Sequence, residues 1–174
     1  MAPSAYLFFL FTISMIFVSH AISPTPSPKL YKSVCKEPRQ KEFELRCLKL
    51  IEAHPQITLI KDYLTFCRSF LKNVAIKKAI KSQHRVKEIV KKYPSSQPIK
   101  ECGDDYNTVV SEVQGALRED PEMISLAVKY ASDALDMCER SLANEKIVNT
   151  SSIAALNHEM MLYTDIVVIA GGHL

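Results

Sequence analysis

The chain has no tryptophan and only four glycines in 174 residues. So few glycines leave little material for glycine-rich phosphate loops or tight hairpin turns, and they favour helices over an all-β design. It also has little net charge. The formal value is +3, and because no charged residue precedes Lys29, that value belongs to the part of the chain from Lys29 onward. So small a bias excludes a nucleic-acid-binding role argued from charge. None of the HExxH, GxSxG, GxGxxG or P-loop patterns occurs, so no residue is nominated as catalytic and no cofactor or metal is implied. His54, His84, His158 and His173 are scattered, and His158-Glu159 has no second histidine one turn away. All four read as surface residues.

What is present begins with an apolar run, Tyr6 to Val18, followed by the small-x-small sequence Ser19-His20-Ala21. Thirteen apolar residues are short for a membrane span, and the pattern reads as a secretory signal peptide over residues 1–21, cut near Ala21. An uncleaved anchor is the alternative, since the MAPSA start lacks Lys and Arg. No later run reads as long enough to cross a bilayer. Residues 22–29 include SPTPSP, where alternate prolines remove amide donors and favour an extended, disordered lead. Residues 30–174 form one domain, and 47% hydrophobic residues suffice for a core.

The domain reads as helices. Lys41 to His54 carries Phe43, Cys47, Leu48 and Ile51 at helical spacing before Pro55. The pattern from Ile57 to Tyr93 is the longest; its stripe thins at Lys81-Ser82-Gln83-His84, which leaves room for a kink or an irregular turn. Pro98 to Glu119 follows, with Pro98 in the first turn. Asp120-Pro121-Glu122 then supplies an N-cap, a first-turn proline and an acid at the positive dipole end. The helix it opens buries Ile124, Ala127, Ala131, Ala134, Leu135, Cys138 and Leu142. After the polar loop Asn149-Thr150-Ser151-Ser152, Ile153 to Ala170 forms the last helix, ended by Gly171-Gly172. The fold class is therefore all-α: an antiparallel four-helix bundle, with the segment before Pro55 as an N-terminal extension.

Five cysteines in a secreted chain allow two bridges and one free thiol, in fifteen arrangements (five choices of odd residue, three pairings of the rest). Helix geometry selects among them. Cys102 and Cys138 lie about equally far from the turn at Glu119-Asp120, so an antiparallel pair places them level, both on apolar faces. Cys35 then pairs with Cys47 as a local staple, and Cys67 remains as a small buried hydrophobe with a free thiol.

The stretches Val34-Cys35-Lys36-Glu37-Pro38 and RCLKLIEAHP (46–55), ECGDDYNTVVSEVQGALREDPE (101–122) and DMCERSL (136–142), with the leader and the last amphipathic helix, resemble the plant invertase and pectin methylesterase inhibitors. The resemblance runs through nearly all of the mature chain. It implies a four-helix bundle with a short helical hairpin projecting from it, the bridges Cys35–Cys47 and Cys102–Cys138, and no catalysis. It implies a protein, monomeric when free, that blocks a cell-wall or vacuolar enzyme, with no nucleic-acid partner and no membrane after signal cleavage. Two positions depart from the family. Invertase-blocking members carry Pro-Lys-Phe in the loop before the third bundle helix, where this chain has Pro121-Glu122-Met123. With Asp120 these residues are the candidate inhibitory loop, and a carboxylate there would meet catalytic carboxylates with like charge. Many members also carry a cysteine before Asp in the last helix, where this chain has Thr164-Asp165.

The expectation is a secreted inhibitor of pectin methylesterase that occludes the active-site cleft one-to-one, with invertase (beta-fructofuranosidase) as the alternative target. It would work in the apoplast or the vacuole. The second class is a non-inhibitory module that holds acidic polysaccharide through Lys72, Lys77, Lys78, Lys81, Arg85, Lys87, Lys91 and Lys92. Asn149-Thr150-Ser151 is a glycosylation sequon in a surface loop.

Overall fold

The computed structural model describes residues 29–37, 41–145 and 148–174. The segment read as a signal peptide and nearly all of the proline-rich lead lie outside the described residues. Among those described there is no strand. Helix α1 (Leu30–Lys36) and α2 (Lys41–Glu52) form the N-terminal hairpin, and α3 (Pro55–Thr58) is a single turn. The first bundle helix is a composite rod: α4 (Tyr63–Phe70), a π-helical turn (Leu71–Ala75) and α5 (Ile76–Lys92). Then come α6 (Gln97–Ala116), α7 (Ile124–Ala143) and α8 (Ser151–Gly171), which complete the antiparallel bundle.

Local chemistry sets most boundaries. The long pattern expected from Ile57 begins as a helix only at Tyr63, because the Asp62 carboxylate caps it by accepting from the Thr65 amide at 2.8 Å. Pro55 does not simply stop α2; it opens α3 as a first-turn proline. Ser96 caps α6 by accepting from the Ile99 amide at 3.3 Å, with Pro98 in the first turn.

The irregularity in the long rod lies elsewhere than expected. Residues 81–84 are regular helix, because Ser82 is small enough to take the buried position between Ala79 and Val86. The departure is the π turn at Leu71–Ala75 instead. There the Asn73 amide donates to the Ser69 carbonyl at 3.0 Å, and Leu71, Val74 and Ala75 are all buried. The wider π turn keeps Leu71, Val74 and Ala75 together on the core side while Lys72 stays exposed.

The core runs the length of the bundle. Phe66 stacks on Phe70 with centroids 6.1 Å apart, and Phe70 meets Tyr163 of α8 at the same distance. Val109 and Val113 of α6 and Val128 and Leu135 of α7 are fully enclosed. Each such side chain contributes roughly 1.5–3 kcal/mol of burial. Helix α8 is long and apolar enough by composition to cross a membrane, contrary to the reading that no later segment is. Half of its most apolar window is buried within the protein, since α8 is lined by α1, α2, α4, α5 and α7. Gly171 belongs to this packing. No described glycine has a positive φ, and a Cβ at Gly171 would stand 3.0 Å from the Ser125 Cβ. It is glycine because α7 comes close, not because the helix needs a left-handed cap.

The hairpin does not project from the bundle. Tyr31, Val34, Cys35, Phe43, Cys47 and Ile51 are buried, and both α1 and α2 pack on α8. Three polar ties fasten it. Arg46 donates to His158 Nδ1 at 2.8 Å, His158 Nε2 meets Glu42 at 2.6 Å, and His173 Nε2 meets Glu37 at 3.3 Å. The His173 ring also stacks on Tyr63, with centroids 4.5 Å apart. An extension with this much apolar surface is more stable against its own bundle than in water.

Candidate functional site

The α6–α7 connection places the candidate loop at one tip of the bundle. Asp120 occupies the N-cap position, but its side chain makes no capping bond; the turn is closed by its carbonyl, which accepts from the Met123 amide at 2.9 Å. The helix therefore opens with a 3-10 turn over Pro121–Met123 before α7 proper. Asp120 and Glu122 are exposed, so both carboxylates stand in solvent at the tip. Pro121 limits the backbone, so the loop holds its shape at low ordering cost.

An apolar stripe leaves this loop along α7. Met123, Leu126, Tyr130 and Met137 are exposed, Tyr130 by 53%. Their spacing of three, four and seven puts them on one side of the helix, away from the buried Val128, Ala131, Leu135 and Cys138. Sequence reading followed only the buried stripe; the second apolar stripe at helical spacing was the signal it passed over. The Cys102–Cys138 bridge sets the register of α6 against α7. A shallow cleft beside Met137 is lined by Glu101, Asp105 and Arg140. Burial, with the negative charges of Asp104 and Glu101, pushes the Asp105 carboxyl above the usual carboxylate range, while Arg140 opposes the shift. This face is acidic along α6 and apolar along α7.

The opposite charge collects on α5 and the π turn before it. Lys72, Lys77, Lys81, Arg85, Lys87, Lys91 and Lys92 are exposed. Lys78 is half-buried in an ion pair with Glu159 of α8, and the Lys92 ammonium sits 5.2 Å from the Tyr93 ring centre. The eight cations are thus not one uniform set: Lys78 holds two bundle helices together.

Cys35–Cys47 and Cys102–Cys138 are both bridged. Cys67 is free and buried in α4, and burial pushes its thiol up to about 12. Asn149 is exposed, and its side-chain oxygen accepts from the Ser151 amide at 2.9 Å. Two of the histidines are not idle surface groups, since His158 and His173 fasten the hairpin, while His54 Nδ1 lies 2.8 Å from the Leu50 carbonyl. Among the described residues no group of three or more His, Cys, Asp or Glu is placed to hold a metal ion.

No protein-family model matches the chain, and no curated protein matches it. Solved structures do. A mutant form of a pectin methylesterase inhibitor from Arabidopsis is similar with a TM-score of 0.69 at 16% identity, over 84% of this chain and 98% of that one. A pectin methylesterase inhibitor from Arabidopsis thaliana is similar with a TM-score of 0.58 at 15% identity, over 83% and 95%. At this identity the likeness is one of architecture, and on it the chain has the fold of the pectin methylesterase inhibitors, an all-helical bundle with N-terminal helices and two disulfides.

Proposed function

We propose that the protein is a secreted inhibitor of pectin methylesterase, binding one enzyme molecule and covering its active-site cleft. The observation that carries this reading is the fold likeness, which takes in 98% of a solved chain named as such an inhibitor. It is supported by a surface suited to holding a protein. A rigid loop and the stripe Met123, Leu126, Tyr130 and Met137 lie along one side of the bundle, with an acidic ridge beside them. Exposed Tyr and Met are the residue types enriched where proteins meet, and the flanking carboxylates favour a cationic partner surface. Occlusion by a preformed face needs no chemistry from the inhibitor.

Glu122 directs the choice of target. A carboxylate at the loop tip is unfavourable in a cleft built around carboxylates, which counts against invertase and leaves the esterase as the preferred partner. The sequon at Asn149 is exposed and open to glycosylation, to be read as a glycosidase-sensitive mass shift on the secreted protein. The deciding experiment assays the purified mature protein against both enzymes. Inhibition of the esterase with a stoichiometric endpoint of one-to-one is expected. Inhibition of invertase alone, or of neither enzyme, overturns the proposal.

A further inference from the structure

A groove of about 720 Å³ runs between α5 and α6, on a different side of the molecule from the apolar stripe of α7. Its floor includes Val90 and Gly103, where a Cβ on Gly103 would come within 3.0 Å of Val90 Cγ2. The absent side chain therefore lets the two helices close on each other at the groove floor. The walls carry His84, Lys87, Lys91 and Lys100, interspersed with Glu88, Asp104 and Asn107.

The groove is the end of a longer track. Lys77, Lys81, His84, Glu88 and Lys91 recur at three and four residues along α5, so they share one face. From Lys77 to Lys91 that face extends about 21 Å at helical rise. Among the described residues none of Lys77, Lys81, Lys87, Lys91 or Lys100 is engaged in an ion pair. Lys78, which is so engaged, lies off this face.

We infer that this groove and track bind a linear polyuronate, a sugar polymer bearing one carboxylate per residue. The length suits a chain and not a point anion, and spaced cations suit regularly spaced carboxylates. The mixture within the groove separates this ligand from other polyanions. Glu88 and Asp104 offer acceptors for hydroxyl groups beside the lysine donors, and Asn107, whose side-chain oxygen accepts from the Gln83 amide at 3.0 Å, presents its own amide N–H, a mixture that a sugar acid uses and a phosphate backbone does not. The inference does not rest on enzyme inhibition, because the surface is separate from the α6–α7 face.

The test is affinity electrophoresis and calorimetry of the mature protein with polygalacturonate, without any enzyme present. Binding that weakens as salt rises is expected. The triple variant K87Q/K91Q/K100Q should bind about tenfold or more weakly, the loss of roughly 1.4 kcal/mol spread over three contacts. A matched variant carrying K29Q/K49Q/K129Q, with the same charge removed elsewhere, should retain affinity. Circular dichroism melting checks that both variants fold. No binding to polygalacturonate, equal weakening by the matched variant, or equally tight binding of poly-glutamate overturns the inference. The esterase assay of the same variants is read separately, so either reading can fail alone.

Discussion

Arg46 of α2 and His158 of α8, 112 positions apart, share a 2.8 Å hydrogen bond, with Arg46 as donor and His158 Nδ1 as acceptor. That assignment leaves the proton on Nε2, which donates to Glu42 at 2.6 Å, so one imidazole links two residues of the same hairpin helix. Phe43 completes the contact, its ring edge-on to the imidazole at 5.2 Å. Replacing His158 with alanine should loosen the hairpin without unfolding the bundle. The expected loss is about 1 kcal/mol, read as faster amide exchange in Lys41–Glu52 with α6 and α7 unchanged.

The cysteines make a prediction about chemistry and one about stability. In the native protein all five cysteines should resist alkylation: Cys67 because its thiol is buried and pushed up to about 12, the other four because they are bonded. After denaturation without reductant, mass spectrometry should find one label, at Cys67. Replacing Cys102 and Cys138 together by alanine should cost about 4 kcal/mol on loop-entropy grounds, against about 3 kcal/mol for the shorter Cys35–Cys47 loop. Urea melts of the two double variants provide the comparison.

Asp105 carries a pH signature. Its folded carboxyl titrates above its unfolded value, so the fold favours the protonated form. Its contribution is therefore favourable below the unfolded value of about 3.9. It is lost as pH rises through the folded value, leaving a penalty at neutral pH. Asp105→Asn should raise the melting temperature near neutral pH and change it little in acid. Because the group is partly exposed, the gain should be modest. A gain that grows as the pH falls would contradict this account.

Gly171 should not tolerate a side chain. A Cβ there would meet the Ser125 Cβ at 3.0 Å and its amide nitrogen at 3.2 Å, and the backbone of α7 cannot yield as a flexible side chain would. Gly171→Ala should cost about 1–3 kcal/mol by overpacking. The same change at Gly115, which has no neighbour within 4 Å of a new Cβ, should be neutral or slightly stabilising. Thermal melts of the pair separate close packing from any general effect of removing glycine.

The sequence by itself determined the helical class, the order of the bundle helices and the level pairing of Cys102 with Cys138. These follow from residues near in sequence: apolar spacing along each helix, Pro98 and Pro121 in first turns, and equal distances from one turn. The tertiary structure decided what depends on distant partners. Whether Ser82 breaks a helix or fills it depends on the space the other helices leave, and the π turn at Leu71–Ala75 arises from how many adjacent apolar groups the core accepts. The hairpin's place was equally illegible, since its docking rests on Arg46 meeting His158 and Glu37 meeting His173 across the chain. The same limit applied to the surfaces. The lysines of α5 could be counted in sequence, but Lys100 and Asn107 join them in a groove only because α6 lies alongside. Local periodicity is written in neighbouring residues; burial, docking and clefts are properties of pairs that only the folded chain brings together.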